Sequence, residues 1–307
     1  MSVTTHQHSV LLERVFSLID EKVVNGDAAL IQQFARLLYK NMSFEDINGR
    51  SDSDLYGATL SLWQLTQTFT VDSPCIKVFN PEISKHGWQS SHTIIEIIIK
   101  DPPFLVDSVR MAINRFGLAA HLLLHSPMHI NRSKENKVTG FVDSKSRSNK
   151  NSSETVIFVE IDRQAKRSDI DKLRNELLSV VDEVSLSVAD WQPKRYKLST
   201  ITNNYEKSKS IASSAIKSQG KTFLNWLNDH NFTLMGYRYY QVKAIEGDHR
   251  WIPENDSSIG LMKNSINNRQ RVLSNLPTTA RDAALSDNPL ILTKTNSRAR
   301  VHRPAYM

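Results

Sequence analysis

The sequence predicts an α+β protein, with a βαββαβ sandwich that follows a helical segment and precedes a second α/β unit. Residues 93–100 (TIIEIIIK) are nearly all β-branched, which is typical of a strand covered on both faces. An amphipathic helical pattern follows at 102–116 and ends at Gly117, a residue type that commonly terminates helices. The strand and helix patterns then repeat from residue 154. At 307 residues the chain is long enough for two or three domains.

The first predicted domain, residues 1–75, is a helical N-terminal segment. Its apolar residues recur at the spacings of three and four that place side chains on one face of a helix. These residues are Leu11, Val15, Leu18, Leu30, Phe34, Leu37, Leu38, Leu55, Leu62, Leu65 and Phe69. The segment shows no pattern associated with catalysis.

The second predicted domain, residues 76–200, contains the sandwich, and Asp101 begins its first strand-to-helix turn. One interpretation makes Asp101 the N-cap of a helix whose first turn holds Pro102 and Pro103, where a missing N–H is tolerated. The other makes it part of a ligand contact, because free N–H groups at a helix N-terminus bind carboxylates. The residue types favour the cap.

The second half of the sandwich follows a polar insertion at about 132–153, which predicts a solvated hairpin extension. Residues 154–162 (ETVIFVEID) predict a strand, and residues from 168 to about 184 predict a helix. The short segment Val184–Val188 (VSLSV) alternates as the fourth strand would.

The third predicted domain, residues 201–307, is a second α/β unit, interpreted as an incomplete ACT-like domain on the resemblance given below. A polar joint at 203–210 precedes a helix that is predicted to reach about residue 230. Strands are predicted at 232–243 and from 290 to 295.

The composition is that of an ordinary soluble protein, with 39% hydrophobic and 23% charged residues. Cys75 is the only cysteine, so no intrachain disulfide is possible and a reducing, cytoplasmic setting is expected. A buried apolar role for this side chain is favoured over a reactive thiol. Neither a signal peptide nor an apolar run of membrane-spanning length is present in the sequence.

The net charge of +7 raises the hypothesis of a nucleic-acid binder, which requires cations clustered on one surface. The cations group only in the insertion and near the last residues, as Lys145, Arg147, Lys150, Arg298, Arg300, His302 and Arg303. Because aromatic residues are not interleaved with them, we expect no nucleic-acid partner.

Two patterns that suggest nucleotide or metal binding are weak here. Residues 215–222 (AIKSQGKT) fit a loose phosphate-loop pattern, but a polar, helix-like segment precedes them where the motif needs a strand. None of the ten glycines lie two positions apart, so no dinucleotide fingerprint exists and no cofactor is expected in this chain. His121, His125 and His129 would share a helix face, but on the predicted strand they lie too far apart for one metal ion. No catalytic set is recognisable.

The turn DPPFLV at 101–106 resembles that of an ACT domain, a small regulatory module with a ferredoxin-like βαββαβ fold. In the family's D-x-P-G-L-L turn a glycine lets the ligand approach the backbone, and Phe104 stands near that position here. The resemblance implies a candidate effector site at Asp101, Phe104, Asp107 and His121. It also makes assembly as plausible a role as sensing.

Six separated blocks, read together, resemble the N-terminal region of the large bacterial NAD-specific glutamate dehydrogenases. They are PPFLVDSV at 102–109, NRFGLAAHLLLH at 114–125, IFVEIDRQ at 157–164, DWQP at 190–193, FLNWLNDHNFTLMGYRYY at 223–240 and LTKTNSRARVHRPAYM at 292–307. The family implies oxidative deamination of L-glutamate to 2-oxoglutarate and ammonia with NAD, in a catalytic domain far downstream. The chain ends inside a family block, which indicates a fragment.

The sequence therefore predicts a non-catalytic regulatory and assembly segment of such an enzyme. Its expected partners are the downstream catalytic domain, a second copy that pairs at a sheet edge, and an amino-acid effector, with no nucleic acid and no membrane. The alternative is a free-standing amino-acid sensor of the ACT type.

Overall fold

The computed structural model describes residues 3–24, 26–47, 50–70, 73–142, 152–207, 213–263, 270–286, 290–294, 297–299 and 304–306. By Cα proximity the chain divides into two compact units. Unit 1 comprises Met1–Asp101 with Val109–Ser179, and unit 2 comprises Pro102–Ser108 with Val180–Met307. The domain boundaries expected at residues 75 and 200 stay a prediction.

Unit 1 begins with the helices that the apolar spacing predicts. They are α1 (Val3–Lys22), α2 (Ala28–Tyr39), the short α3 (Phe44–Ile47) and α4 (Asp52–Thr68). The Ser51 hydroxyl accepts the Asp54 N–H at 3.0 Å, which satisfies one of the free donors at the start of α4. Val15, Phe34 and Leu62 are fully buried, so these helices join one core.

A five-stranded antiparallel sheet follows in unit 1, in the spatial order β1-β2-β5-β3-β4. The strands are β1 (Cys75–Phe79), β2 (Thr93–Lys100), β3 (Ala120–Arg132), β4 (Val138–Val142) and β5 (Ser152–Ile161). Every residue of β2 except Lys100 is buried, which confirms a strand covered on both faces. The mixed helix and antiparallel-sheet architecture agrees with the α+β class.

One face of this sheet packs against the N-terminal helices. Ile94 and Ile98 of β2 share a hydrophobic core with Phe158 of β5 and with the buried residues of α1, α2 and α4. The Ser126 hydroxyl of β3 donates to the Leu37 carbonyl of α2 at 2.8 Å. Cys75 packs at the border of this core, as an apolar side chain would.

The helices α5 (Ile83–His86), α6 (Leu105–Arg115) and α7 (Arg167–Ala189) lie between and after the strands. An ion pair of 3.0 Å between Arg115 and Glu176 links α6 to α7. The Arg174 guanidinium of α7 donates to the Ile76 carbonyl of β1 at 3.3 Å.

The predicted fourth strand, Val184–Val188, is wrong, because α7 continues to Ala189. Val180, Val184 and Ser187 are buried at spacings of four and three, so the apparent alternation is the inner stripe of a helix. Strand β2 lies between β5 and β1, and β1 precedes it in the sequence. In the described residues, the strand that completes this side of the sheet thus comes before β2 in the chain, and the predicted βαββαβ order is not confirmed.

The turn after β2 also differs from the prediction. Helix α6 begins at Leu105, so Asp101 is not its N-cap, and Phe104 instead adopts a left-handed φ of 69°. The Phe104 carbonyl accepts both the Ser108 N–H at 3.1 Å and the Ser108 hydroxyl at 2.7 Å. Gly117, with a φ of 70°, follows the helix as predicted.

Unit 2 contains α8 (Trp191–Asn204), α9 (Ser214–Trp226), α10 (Thr278–Leu285) and two small sheets. One sheet has the order β11-β12-β6-β9 and the other β10-β8-β7. Their strands are β6 (Thr233–Tyr237), β7 (Tyr240–Ile245), β8 (Asp248–Pro253), β9 (Ile259–Gly260), β10 (Arg271–Val272), β11 (Thr293–Lys294) and β12 (Pro304–Tyr306). Leu198, Leu224 and Leu234 are buried in its core.

The strand predicted at 232–243 is two strands in different sheets, β6 and β7, and the strand predicted from 290 to 295 is the short β11. Of the basic groups, Arg298 pairs with Glu183 at 3.3 Å. The cations of the 132–153 insertion, Lys145, Arg147 and Lys150, lie outside the described residues, as do Arg300, His302 and Arg303. Among the described helices, none has the length and hydropathy needed to span a bilayer.

Candidate ligand cavity

A cavity of about 360 Å³ lies inside unit 1, between helices α2 and α4 and one face of the sheet. This volume falls at the lower end of the roughly 300–1,000 Å³ that small-molecule sites occupy. About half of its wall is apolar, and this part is formed by buried side chains that include Leu38, Leu55, Leu62, Trp88, Leu124 and Phe158.

Because side chains alternate between the two faces of a sheet, the residues that form the sheet side of the cavity lie on one face. Leu122 and Leu124 of β3 pair with Glu160 and Phe158 of β5, so all four side chains point to the same face. The helix side depends on Gly57 of α4, because a Cβ added there would lie 2.3 Å from the Cβ of Trp88. A glycine in the middle of this helix therefore allows the Trp88 ring to form one wall.

One end of the cavity carries an ion pair between Arg50 and Glu160. The Arg50 Nη2 lies 2.5 Å from the Glu160 Oε2, and its Nε lies 3.3 Å from Oε1. The Arg50 Nη1 also donates to the Asp46 carbonyl at the end of α3. The Glu160 side chain is 8% exposed and that of Arg50 is 27% exposed, so solvent reaches the pair from the arginine side.

Two imidazoles extend this polar end. The His92 Nδ1 lies 3.7 Å from the Glu160 Oε2, and the His92 and His121 rings are 4.5 Å apart. His121 in turn lies 2.7 Å from Asp162, whose pKa is lowered by the Ala119 N–H and by His121. The result is a row of four groups from the cavity to the surface, in which two imidazoles lie between two carboxylates.

Two further polar groups line the cavity but are already engaged. The Tyr39 hydroxyl contacts the Thr59 hydroxyl at 3.0 Å and donates to the Leu55 carbonyl at 3.2 Å, while burial raises its pKa to about 12. Asp54 accepts the Ser51 hydroxyl at 2.7 Å and the Gln89 N–H at 3.1 Å. The Arg50–Glu160 pair is thus the main charged feature open to a ligand.

The residues predicted for an effector site have separate partners. Asp101 lies 3.8 Å from His125, which also contacts the Thr155 hydroxyl at 3.0 Å. His121 pairs with Asp162 and stacks on His92 beside the cavity.

The remaining predicted residues, Phe104 and Asp107, are exposed. The left-handed backbone at Phe104 is one that glycine adopts freely, which matches the glycine of the resembled turn.

Arg50, His92 and Glu160 are not among the site residues that the sequence predicts. A usable signal was present, because Glu154 and Glu160 lie on the same face of a predicted strand whose other residues are mostly apolar. A carboxylate in such a strand needs a cation or a hydrogen-bond donor nearby. The position of that donor, 110 residues away in sequence for Glu160, is not readable from the pattern.

The structure shows where the two sequence patterns for nucleotide and metal binding lie. The phosphate-loop pattern at 215–222 lies within α9, and Gly220 accommodates the Tyr205 ring, from which an added Cβ would be 2.7 Å away. A chance match is therefore the correct interpretation. The three histidines lie on β3, as predicted. In the part of the chain that the structure describes, no three His, Cys, Asp or Glu side chains are arranged for metal binding.

Comparison with known proteins places the cavity inside a matched domain. Residues 34–177 match the family described as glutamate dehydrogenase, ACT1 domain. The NAD-specific glutamate dehydrogenase of Pseudomonas aeruginosa is 34% identical over 287 residues, covering 92% of this chain and 18% of that protein. That of Halomonas elongata is 30% identical over 298 residues, covering 96% of this chain and 18% of that protein. The chain thus spans less than a fifth of the length of these relatives.

Proposed function

We propose that this chain is the N-terminal regulatory and assembly segment of an NAD-specific glutamate dehydrogenase. The proposal is supported by the match of residues 34–177 to the ACT1 domain of glutamate dehydrogenase and by the two similar relatives. The parent enzyme would oxidatively deaminate L-glutamate to 2-oxoglutarate and ammonia with NAD, in the cytoplasm. The observation that carries the proposal is the match of nearly the whole chain to a small share of its relatives.

The position of the phosphate-loop pattern inside helix α9, with no strand directly before it among the described residues, supports a non-catalytic role for this segment. The test is to incubate the purified chain with NAD and L-glutamate and to follow NADH absorbance. We expect no turnover above a heat-treated control. Steady formation of NADH by the chain alone would contradict the proposal.

The regulatory part of the proposal needs the rest of the parent enzyme. We expect the separately expressed catalytic portion to change its glutamate saturation curve when this chain is added, with an unrelated protein at equal concentration as control. An unchanged curve together with no co-sedimentation of the two parts would remove the downstream domain as a partner.

For assembly, the edge strand β4 is the better candidate of the two sheet edges. Unpaired backbone groups on an edge strand template pairing with another chain. On β1, Arg174 already occupies the Ile76 carbonyl. We expect sedimentation velocity to show a concentration-dependent dimer, and a monomer at all concentrations would argue against self-pairing.

A second candidate function is a free-standing amino-acid sensor with its effector at Asp101, Phe104, Asp107 and His121. The left-handed backbone at Phe104 favours it, because this is the conformation that a glycine would supply in a ligand-binding turn. Calorimetry of the Asp101→Asn variant against the wild type, with a panel of amino acids, tests this site. An unchanged affinity in the variant would count against it.

A further inference from the structure

We propose that the cavity of unit 1 binds a free zwitterionic amino acid with an apolar side chain, with its two charges at the Arg50–Glu160 pair. This site lies on the face of the sheet covered by the N-terminal helices and shares only a neighbouring residue, His121, with the turn predicted above. The binding itself does not depend on the function proposed for the parent enzyme.

The first argument is the shape and polarity of the cavity. Its body is enclosed by buried aliphatic and aromatic side chains of α2, α4, β3 and β5, and its charged groups are gathered at the Arg50–Glu160 end. Such a site selects a molecule with an apolar body and a polar head. The exposed Gln89 and Ser91 line the same cavity and give the head a route from solvent.

The second argument is charge balance. A ligand with only a carboxylate would compete with Glu160 for Arg50 and leave a nearly buried carboxylate without its cation. A ligand with only an ammonium group would take Glu160 and leave Arg50 unpaired. A zwitterion replaces one internal ion pair by two intermolecular pairs, so no charge is left without a partner.

The third argument concerns what else at this end can contact the head group. Asp54 is engaged by Ser51 and Gln89, and Tyr39 by Thr59 and Leu55. His92 lies 3.7 Å from Glu160 with a partly exposed ring, where it can donate to a ligand carboxylate held by Arg50. The site therefore offers two donors for the carboxylate and one acceptor for the ammonium group.

Isothermal titration calorimetry on the 307-residue chain tests this assignment with four probes that separate charge from shape. L-leucine has both charges and an apolar body, 4-methylpentanoate lacks the ammonium group, 3-methylbutylamine lacks the carboxylate, and glycine lacks the apolar body. We expect saturable binding of L-leucine and at least about tenfold weaker binding of the other three. Equal affinity for 4-methylpentanoate and L-leucine, or no saturable heat with L-leucine, would overturn the proposal.

Variants locate the site. We expect Arg50→Gln to weaken L-leucine binding at least about tenfold, because it removes the carboxylate partner. Arg115→Gln is the matched control, since it breaks an ion pair of the same unit outside the cavity and should leave binding unchanged. Ala58→Leu should abolish binding by filling the apolar wall while Arg50 and Glu160 stay in place.

Glu160→Gln provides the sharpest outcome, because it frees Arg50 from its internal carboxylate with little change of shape. We expect this variant to lose its preference for L-leucine over 4-methylpentanoate, or to reverse it. Circular dichroism establishes that each variant is folded. Binding that survives both Arg50→Gln and Ala58→Leu but is lost in Asp101→Asn would place the ligand at the turn and refute the cavity assignment. If L-leucine does not bind, the NADH measurement still tests the proposed function, so the cavity proposal and the proposed function can fail separately.

Discussion

The two ends of one sheet face hold the same kind of ion pair in different surroundings. Glu154 and Glu160 lie six residues apart on β5, on the face covered by the N-terminal helices, and each pairs with an arginine. At the Glu154 end the side chains of Arg132 and Glu154 are 8% and 0% exposed. At the Glu160 end the arginine is more than a quarter exposed and the pair borders a cavity.

The difference lies in what the arginine does with its remaining donors. Arg132 donates to the Asn136 carbonyl at 2.8 Å and to the Thr66 carbonyl at 3.1 Å, and its guanidinium lies over the Phe69 ring. Its donors therefore tie β3 to the end of α4 and to the β3–β4 turn. Arg50 has one further bond, to the Asp46 carbonyl, and the neighbouring space is open. The Arg132–Glu154 pair therefore connects elements of the fold, and the Arg50–Glu160 pair remains available for exchange with a ligand.

The largest expected effect comes from removing the two arginines in parallel. Arg132→Met leaves Glu154 fully buried without a cation, which should lower the free energy of unfolding by about 3–5 kcal/mol. Arg50→Met should lower it by about 1 kcal/mol, because water can solvate Glu160 through the open side. Urea denaturation followed by circular dichroism measures both values. Equal losses at the two ends would show that the ends do not differ.

Between the two ends lies Glu96, a third glutamate on the same face, with a much poorer partner. Its side chain is fully buried, Lys77 Nζ is 3.8 Å away, and among the described residues neither carboxylate oxygen accepts a hydrogen bond. Burial raises the pKa of Glu96 to about 7, and Lys77 and the nearby Ser61 hydroxyl oppose this shift only in part. The folded protein therefore holds a proton on Glu96 at pH values where the unfolded chain has released it.

This raised pKa predicts a pH-dependent stability. The stabilising contribution is complete below the unfolded pKa of 4.5 and is lost as the pH rises through about 7. Glu96→Gln removes the proton exchange and should raise the free energy of unfolding by about 1–3 kcal/mol near pH 8, with little effect near pH 4.5. Urea denaturation across this range measures the difference, and a gain that does not depend on pH would contradict the prediction.

The smallest expected effect concerns the turn that follows β2, at the Glu154 end of the sheet. Phe104→Ala and Phe104→Gly both remove the exposed ring, but only glycine relieves the left-handed backbone. The glycine variant should be more stable than the alanine variant by about 1 kcal/mol. Chemical denaturation of the pair checks this, and an alanine variant of equal or greater stability would mean that the turn does not retain this backbone.

Periodicity alone predicted most of the elements correctly. The helices of the N-terminal segment, the buried strand at 93–100, and the strand at 154–162 follow from the spacing of apolar residues. The same signal failed at Val184–Val188, where a helical stripe alternates over too few residues to be distinguished from a strand. It also failed at Asp101, because prolines at a helix start do not reveal that Phe104 delays the helix.

The candidate site was the least predictable part. The sequence suggested ligand residues in the turn after the strand at 93–100, where residue types are distinctive. The cavity instead depends on Arg50, Trp88 and His92, which belong to irregular segments with no periodic pattern. Their positions follow from the close approach of Gly57 to Trp88 and from a pairing that spans 110 residues.

The sequence by itself determined most of the local elements and the similarity to the glutamate dehydrogenase ACT1 domain, because apolar spacing and sequence blocks depend on residue types alone. Only the tertiary structure decided which cation meets which glutamate, that β1 lies beside β2, and that packing of α2 and α4 leaves a space at one end of the sheet. These depend on contacts between residues far apart in the chain, and their geometry is set by how whole elements pack together.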